Sequence, residues 1–164
     1  MALNERLQRL LEQTRVRYQV LTHNEAFTAQ EVAAASHVPG AELAKVVVLR
    51  EEGGFFLMVV LPAPRRLDLA AVVTATGRQR LQLATEEEIR RLFPDCEAGA
   101  MPPFGNLYDM PAYVDACFRR HRDFFFQGGN HHEVVAMAFE DYVRLAQPMV
   151  GQLCFHHVEG GASV

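Results

Sequence analysis

Residues 44–62, AKVVVLREEGGFFLMVVLP, decide the fold. Two runs of β-branched and aromatic side chains are separated by Glu52, Gly53 and Gly54, and glycine tolerates the positive φ angles that tight hairpin turns require. The stretch therefore predicts a β-hairpin. Both of its arms are apolar on successive residues, which is typical of central strands that are covered on both faces. We expect this hairpin to lie in the middle of a sheet.

Helices and strands are predicted on both sides of the hairpin. Thr28 and Glu31 have the spacing of a capping box, and Thr85 and Glu88 repeat that pattern downstream. The apolar periodicity predicts helices within residues 3–16, 27–40, 65–77, 85–95 and 139–151, and strands within 17–23, 44–51, 55–62, 80–84, 111–118, 123–129 and 132–138. These five helices and about seven strands lack a clean βαβ alternation. They indicate an α/β (α+β mixed) fold with a central mixed sheet covered by helices, not a doubly wound nucleotide-binding fold.

Length, composition and charge limit the classes of protein to which the chain can belong. The 164 residues suit a single domain, which we place at residues 1–155, followed by a loose tail at 156–164 that lacks periodicity. No apolar run approaches the roughly 20 residues of a membrane helix, so a cytoplasmic protein is expected. The formal net charge of −4 supplies no global basic field for nucleic acid, so any contact with RNA should be local. Cys96, Cys117 and Cys154 show no paired spacing and are interpreted as free thiols.

Common enzyme motifs are absent from the sequence. The chain contains no GxGxxG, no GxxxxGK[ST], no HExxH and no GxSxG. The pairs His131–His132 and His156–His157 would suit a metal ion, but adjacent residues of a strand face opposite sides, so each pair offers only one ligand to a site. We therefore predict neither a metal nor another cofactor.

Three features remain as candidates for chemistry. Residues 99–105, GAMPPFG, either form a stiff connection or hold backbone N–H groups in place as an oxyanion hole. Lys45, the only lysine of the chain, is either an ordinary surface residue or a compact positive charge for a phosphate or carboxylate. Gly128 and Gly129 follow an apolar strand, where they either make a hairpin turn or let a ligand or another backbone come close. The pattern of residues leaves these alternatives open.

These segments, in this order, resemble the YbaK/ProX family of aminoacyl-tRNA deacylases, the free-standing relatives of the editing domain of bacterial prolyl-tRNA synthetases. The resemblance covers about residues 17–147 and rests on AKVVVL with Lys45, LPAPRRLDL, EAGAMPPFGNLYDMPAYVD and FFFQGGNHHEVVAM. It implies a partly barrel-like sheet and a pocket for the aminoacylated 3′ end of a mischarged tRNA. It also implies hydrolysis of the ester between amino acid and ribose without a metal.

The resemblance further implies the residues of the site. The family's functional lysine corresponds to Lys45, its GxxxP loop to residues 99–103, and its glycine pair to Gly128 and Gly129. The predicted catalytic residues are Lys45, Gly99, Ala100, Met101, Pro102 and Pro103, and the predicted substrate-binding residues are His23, Phe27, Thr28, Phe104, Gly105, Gln127, Gly128 and Gly129. Ala100 and Pro102 stand where relatives commonly carry a small hydroxyl residue. This departure bears on the substrate more than on the reaction.

The predicted function is trans-editing, the hydrolysis of Ala-, Cys- or Ser-charged tRNA, with tRNA for proline as the family's commonest target. Backbone donors and the substrate's own ribose hydroxyl would assist the reaction. The expected partners are the tRNA acceptor end and an aminoacyl-tRNA synthetase, without a membrane, and the expected state is a monomer or homodimer. Arg65–Arg66, Arg90–Arg91 and Arg119–Arg120 are candidates for contact with the acceptor stem.

Three alternatives to this function stay open. The chain could be a binding module for an amino acid, a nucleotide or an aminoacyl-tRNA end that lacks catalysis. It could hydrolyse an ester unrelated to tRNA. Cys96, three residues before the loop, could act as a nucleophile, although a structural cysteine is the commoner case.

Overall fold

The computed structural model describes residues 3–155, which form five α-helices around an eight-stranded mixed sheet. The helices are α1 (Glu5–Thr14), α2 (Ala29–Ser36), α3 (Leu69–Thr76), α4 (Glu86–Leu92) and α5 (Phe139–Ala146). The strands are β1 (Tyr18–Thr22), β2 (Leu43–Glu51), β3 (Phe55–Pro62), β4 (Leu81–Leu83), β5 (Ala112–Asp115), β6 (Asp123–Gln127), β7 (Glu133–Ala138) and β8 (Met149–Gly151). The predicted tail, with His156 and His157, lies outside the described residues.

The predicted hairpin is confirmed and lies at the centre of the sheet. The strand order is β1-β7-β6-β2-β3-β5-β8, and β4 pairs with β2 off this path. β2 pairs with β3 along its whole length, from Ala44 opposite Pro62 to Glu51 opposite Phe55. The first residues of β2 pair with β6 in parallel, and its last residues pair with β4. β2 therefore has neighbours on both sides at each end, as its continuous apolar pattern requires.

The capping boxes are confirmed at the start of α2 and of α4, where Thr28 and Thr85 each accept the amide of the glutamate three residues on. Other local predictions were incomplete. The closing helix was expected to stop near Pro148 and ends at Ala146, but the strand that follows it, β8, which pairs with β5 in parallel, was not predicted. Within residues 3–155, no helix is long and apolar enough to cross a membrane.

The predicted strand at residues 111–118 also ends early. It stops at Asp115, because the Asp115 carboxylate accepts the amide of Cys117 at 2.8 Å and turns the chain into a 3₁₀ helix over Ala116–Arg120.

The sheet has a different core on each face. One face is covered by α1 and α5 and buries an aromatic cluster that includes Phe104, Phe118, Phe124, Phe126 and Tyr142. The other face carries two smaller clusters, one around Val72 of α3 and one around Val32 of α2. The gap between these two smaller clusters is where polar side chains emerge from the sheet.

Candidate active site

A polar pair lies on the face of the sheet that carries the two smaller clusters. Leu43 of β2 is the partner of Phe125 of β6, so Lys45 and Gln127, each two residues further along, stand side by side and point to the same face. Leu61 is opposite Lys45 on one side, and Val134 is opposite Gln127 on the other. The row is therefore apolar at its flanks and polar in its middle.

Lys45 presents an unpaired charge at this position. Its side chain is half-buried, and no carboxylate of residues 3–155 lies within ion-pair distance of its ammonium. Burial lowers the pKa of Lys45 below the usual range of lysine, against an opposing effect of the nearby Cys154. An ammonium that has lost part of its water and has no protein partner is well suited to bind an anion.

The predicted loop is anchored beside this pair. The Gln127 side-chain Nε2 donates to the carbonyl oxygen of Gly99 at 3.2 Å. The amide of Gly129 donates to the carbonyl oxygen of Ala100 at 2.9 Å, and the amide of Glu97 donates to the carbonyl oxygen of Gly129 at 2.8 Å. These three bonds fix the start of the loop to the end of β6, on the side of the sheet where Lys45 emerges.

The loop supplies fewer free amides than its sequence offers. The amide of Ala100 donates to the carbonyl oxygen of Glu97 at 3.0 Å, so it is already engaged. The amide of Gly99 faces the sulfur of Met101 at 3.3 Å, a weak acceptor. The amide of Met101 has no hydrogen-bond acceptor among residues 3–155. Within residues 99–105, the amides of Met101 and Gly105 thus have no acceptor in the described part of the chain, and that of Met101 lies closer to the Gly99 anchor.

The second half of the loop faces the aromatic core. The carbonyl oxygen of Pro103 accepts the hydroxyl of Tyr142 at 2.7 Å, and the ring of Phe104 packs edge-on against Phe126 and Tyr142. A side chain at Gly105 would collide with the carbonyl oxygen of Met110. These residues hold the loop in place from behind, and the structure does not bring them to the face that carries Lys45.

The glycine pair lets a helix come close. An added Cβ would lie 2.5 Å from Leu3 Cδ2 at Gly128 and 2.8 Å from Asn4 Cβ at Gly129, where φ is +102°. Asn4 caps α1, and its own amide donates to the carbonyl oxygen of Gly128 at 3.0 Å. Of the two alternatives that the sequence left open, the described structure shows the close approach of a neighbouring backbone.

The remaining predicted residues lie around a histidine that was not among the predicted substrate residues. The His131 Nε2 atom lies 2.9 Å from the carbonyl oxygen of Ala98. The exposed ring of Phe27 packs on the His131 ring with centroids 4.9 Å apart, while Thr28 is used as the cap of α2. His23, which precedes Phe27 in the sequence, is buried. Its amide donates to the carbonyl oxygen of His132 at 2.8 Å, and its Nδ1 lies 2.6 Å from the carbonyl oxygen of Asn24. The histidine pair had been considered only as a metal ligand.

Three buried acceptor atoms of the predicted site residues and of His131 have no donor in the described part of the chain. They are His23 Nε2, Gln127 Oε1 and His131 Nδ1. In each side chain the other polar atom faces a backbone carbonyl, which can only accept, so the remaining atom is an acceptor in the neutral form. Because buried polar groups are nearly always paired in folded proteins, these atoms would accept a hydrogen bond from water or from a ligand.

Cys96 is not positioned as a nucleophile. Its sulfur lies 3.2 Å from the hydroxyl oxygen of Tyr108, and burial raises the pKa of the Cys96 thiol to about 11. The thiol is therefore protonated at neutral pH, whereas the thiolate is the reactive form.

Asp115 fastens the C-terminal part of the described chain beside Lys45. Its carboxylate accepts the amides of Cys117, Leu153 and Cys154 at 2.8, 2.8 and 3.1 Å. Burial raises the pKa of Asp115, but hydrogen bonds from the Cys117 thiol, from the amides of Cys117 and Leu153 and from the Cys154 thiol outweigh burial and hold it below the usual range. The thiols of Cys117 and Cys154 and this carboxylate lie within 4.8 Å of one another. Three amides already occupy the carboxylate, so its role in the described chain is structural.

A separate cavity of about 690 Å³ opens behind the loop. It is lined by the start of α1 and by the turns that follow α4 and β6, at Leu3, Asn4, Glu5, Arg6, Arg9, Pro94, Asp95, Cys96, Glu97, Gly129 and Asn130. Of the predicted site residues, Gly129 alone contributes to this lining. The face that carries Lys45 and Gln127 is thus distinct from this cavity.

Comparison with known proteins assigns the chain to a family. Residues 23–145 match the model of the aminoacyl-tRNA editing domain. The chain is 28% identical over 149 residues to the multifunctional Ser/Thr-tRNA deacylase ProXp-y of Escherichia coli (strain K12), a match that covers 88% of this chain and 89% of that protein.

Two solved structures share the fold. A candidate trans-editing enzyme for prolyl-tRNA synthetase superimposes with a TM-score of 0.78 at 25% identity, covering 93% of this chain and 97% of that one. A hypothetical protein superimposes with a TM-score of 0.82 at 18% identity, covering 92% and 99%.

Proposed function

Because the chain belongs to the aminoacyl-tRNA editing domain family, we propose that it hydrolyses the ester bond of mischarged aminoacyl-tRNA as a free-standing deacylase. The observation that carries this proposal is the hydrogen bond between Gln127 and Gly99. It holds the loop on the face of the sheet from which the unpaired ammonium of Lys45 emerges. The proposal requires that the phosphate contact of Lys45 and a backbone donor of the loop act on the same ester at the end of a nucleic acid.

Lys45 is the residue that would hold the terminal nucleotide. Its ammonium would pair with a phosphate oxygen, and a charge-assisted contact of this kind is stronger than one between neutral groups. Partial burial strengthens the attraction, because less water screens it. With the nucleotide held in this way, the ester carbonyl would come to the loop.

The loop would then stabilise the charge that develops during hydrolysis. Water attacks the ester carbonyl carbon, and the bond between that carbon and the ribose oxygen breaks. The ribose oxygen receives the proton that the water gives up, so free amino acid and intact tRNA leave. The amide of Met101 is the free donor for the carbonyl oxygen, and one well-placed donor is worth about 3 kcal/mol. The neighbouring ribose hydroxyl would assist the water.

The unpartnered acceptors favour an aminoacyl group that carries a hydroxyl. Gln127 Oε1 and His131 Nδ1 each lack a donor, and the two side chains are fixed by the adjacent carbonyls of Gly99 and Ala98. A serine or threonine hydroxyl would supply a donor in addition to the α-ammonium that every aminoacyl ester carries, whereas the side chain of alanine would supply none. The relative named as a Ser/Thr-tRNA deacylase supports the same ranking. We therefore place Ser ahead of Ala and Cys, with tRNA for proline among the carriers.

The test is a deacylation panel. Ser-, Thr-, Ala- and Cys-charged tRNAs are incubated with the protein, and the release of amino acid is compared with that of buffer and of correctly charged Pro-tRNA. We expect the Ser or Thr ester to decay fastest, Pro-tRNA to remain intact, and Lys45→Ala to be strongly impaired. If every ester decays at the buffer rate, the proposed activity is wrong.

A second candidate function is binding of an aminoacyl-tRNA end without turnover. It is favoured by the engaged amide of Ala100, which leaves the loop with fewer free donors than an oxyanion hole built from two adjacent amides. Thermal unfolding with seryl-adenosine, serine or adenosine monophosphate distinguishes the two functions. Stabilisation by one of these ligands without any hydrolysis would favour binding alone.

A further inference from the structure

The arginines of this chain differ in their partners from one end of the sheet to the other. At the end where residues 52–54 turn, which we call the hairpin end, arginines meet carboxylates. The pairs are Arg50 with Glu88, Arg78 with Glu51, Arg80 with Glu52 and Arg90 with Glu86, with N–O distances of 3.5, 2.8, 2.6 and 2.7 Å. These arginines are at least partly neutralised within the protein.

The opposite end, which we call the Lys45 end, gathers arginines without such partners. β2 and β6 begin at this end, and β3 and β5 finish there, because β2 is antiparallel to β3 and parallel to β6, while β3 is parallel to β5. The residues just beyond these four strands are therefore neighbours in space. They include five arginines with no ion-pair partner among residues 3–155, namely Arg65, Arg66, Arg119, Arg120 and Arg122. We call this set the arginine rim.

The arginine rim adjoins the candidate active site. Lys45 is the third residue of β2, so it lies only about 7 Å along the strand from Leu43, at a rise of about 3.3 Å per residue. Arg122 immediately precedes β6, which carries Gln127 at its other end. The amide of Phe155 donates to the carbonyl oxygen of Arg66 at 2.9 Å, next to Cys154 near Lys45. The rim thus borders the face that would hold the substrate's end.

Acidic groups at the same end limit the reach of this positive charge. Some of them have partners: Glu42 lies 3.9 Å from His121, Asp141 pairs with Arg144 at 2.8 Å, and Asp68 caps α3. Asp123 and Glu140 are exposed at this end as well. The rim therefore attracts an anion that touches it and creates no broad field, in agreement with the net charge of −4.

We propose that the arginine rim binds the phosphate backbone of the acceptor arm of tRNA, next to the aminoacylated end at Lys45. This inference rests on the proposed function, since the RNA that the rim meets is the one whose end lies at Lys45. Guanidinium groups form forked contacts with phosphates, and such contacts position a nucleic acid without reading its sequence. Of the three arginine pairs that the sequence offered, the structure thus selects Arg65–Arg66 and Arg119–Arg120. The third pair, Arg90–Arg91, is not part of the arginine rim, because it lies on α4 near Arg50 at the hairpin end.

The test measures binding of uncharged tRNA, which needs no catalysis. Fluorescence anisotropy gives Kd at several salt concentrations for Arg65→Ala/Arg66→Ala and for Arg119→Ala/Arg120→Ala. The matched control is Arg90→Ala/Arg91→Ala, which removes the same charge at the hairpin end. We expect each rim variant to bind about 10-fold more weakly, with a salt slope lower by about 1 to 2, and the control to bind as the unmodified protein does. Equal losses in all three variants, or none, would overturn the proposal.

A second measurement separates the rim from the reaction. Seryl-adenosine has an ester but no acceptor arm, so the rim variants should hydrolyse it at the unmodified rate while they hydrolyse Ser-tRNA more slowly. If the unmodified protein hydrolyses neither substrate, the proposed function is wrong. The anisotropy measurement would still show whether the arginine rim binds tRNA. Thermal unfolding and the variants Arg65→Gln/Arg66→Gln check that lost binding reflects lost charge and not lost packing. Restored binding in the Gln variants would count against the rim.

Discussion

The two ends of the β2–β3 hairpin differ in how their polar groups are satisfied. At the hairpin end, Arg78 and Arg80 donate to carboxylates at 2.8 and 2.6 Å, and Arg50 Nε, which is buried without a hydrogen bond in the described part of the chain, lies 3.5 Å from a carboxylate oxygen of Glu88. At the Lys45 end, the ammonium of Lys45 has no carboxylate partner within residues 3–155, and Gln127 Oε1 is buried without a donor. Folded proteins pair nearly all such groups. We therefore expect the hairpin end to contribute mainly to stability and the Lys45 end to bind a ligand.

The largest effect that tests this difference is expected for Lys45→Ala. If Lys45 contacts a phosphate, its removal should lower kcat/KM for the preferred aminoacyl-tRNA by roughly 100-fold, which corresponds to about 3 kcal/mol, the upper range for a hydrogen bond to a charged group. Arg80→Ala, which removes a cation at the hairpin end, should leave kcat/KM unchanged. Similar losses in both variants would show that the two ends do not differ in function.

Replacement of Lys45 should also change the thermal stability of the protein differently from replacement of the hairpin-end arginines. Since burial lowers the pKa of Lys45, the unfolded chain binds its proton more tightly than the folded chain does. The charge on Lys45 thus opposes folding at neutral pH, and this opposition disappears as the pH rises from the folded pKa to the unfolded one. Lys45→Met should unfold at the same temperature or a higher one, whereas a lower Tm would contradict this assignment.

The next effect concerns Asp115, which holds the C-terminal residues at the Lys45 end. Asp115→Asn replaces a charged acceptor of three amides by a neutral side chain with one acceptor, so urea denaturation should show a loss of about 2 kcal/mol in unfolding free energy. The pKa of Asp115 is lowered in the folded state, so its contribution is complete above the unfolded pKa and is lost as the pH falls through the folded one.

The pH dependence provides the control for this variant. The difference between the unmodified protein and Asp115→Asn should shrink in acid. A difference that stays constant from neutral pH down to pH 3 would mean that the charge of Asp115 does not matter.

A smaller effect is expected to distinguish two glycines with almost the same φ angle. Gly129 has φ +102° and Gly53 has φ +105°, but an added Cβ meets Asn4 Cβ at 2.8 Å in the first case and nothing within 4 Å in the second. Alanine at either position carries backbone strain of about 1–3 kcal/mol. Gly129→Ala should lose about 1–2 kcal/mol more than Gly53→Ala, as overpacking does in a filled site. Equal losses would mean that α1 moves aside without cost.

The smallest expected effect is that of Cys96→Ala. Because the pKa of this thiol is raised to about 11, the variant should keep the deacylation rate of the unmodified protein, and iodoacetamide at pH 7.5 should modify Cys96 slowly. A loss of activity that Cys96→Ser restores would return Cys96 to the list of catalytic candidates.

Local signals explain most of what the sequence predicted. The hairpin follows from two apolar runs around a glycine turn, and the starts of α2 and α4 follow from Thr28 and Thr85 with their glutamates. β8 was missed because three residues after a helix carry little pattern, and their pairing with β5 depends on residues some 36 positions away. The resemblance to the editing family is confirmed by the match over residues 23–145.

The candidate site was less accessible to prediction. Lys45, Gln127 and the loop were expected on one surface, and the register of β2 and β6 places the first two side by side, but the roles of the predicted residues stay predictions. His131 was not included, because its position depends on the carbonyl oxygen of Ala98, 33 residues away. The engaged amide of Ala100 also has no sequence signal, since every non-proline residue offers the same N–H group.

The contacts of Asp115 have a consequence for the order of events during translation. Its carboxylate receives amides from Leu153 and Cys154, which the ribosome adds 38 and 39 residues later. The β2–β3 hairpin, by contrast, can pair as soon as residue 62 has emerged. Since nascent chains fold from the N-terminus onward, the surroundings of Lys45 are completed only after residue 154 has left the exit tunnel. A nascent chain with a finished hairpin would therefore still lack part of the candidate site. Premature termination before residue 153 would yield a sheet without the hydrogen bonds from residues 153 and 154 to Asp115.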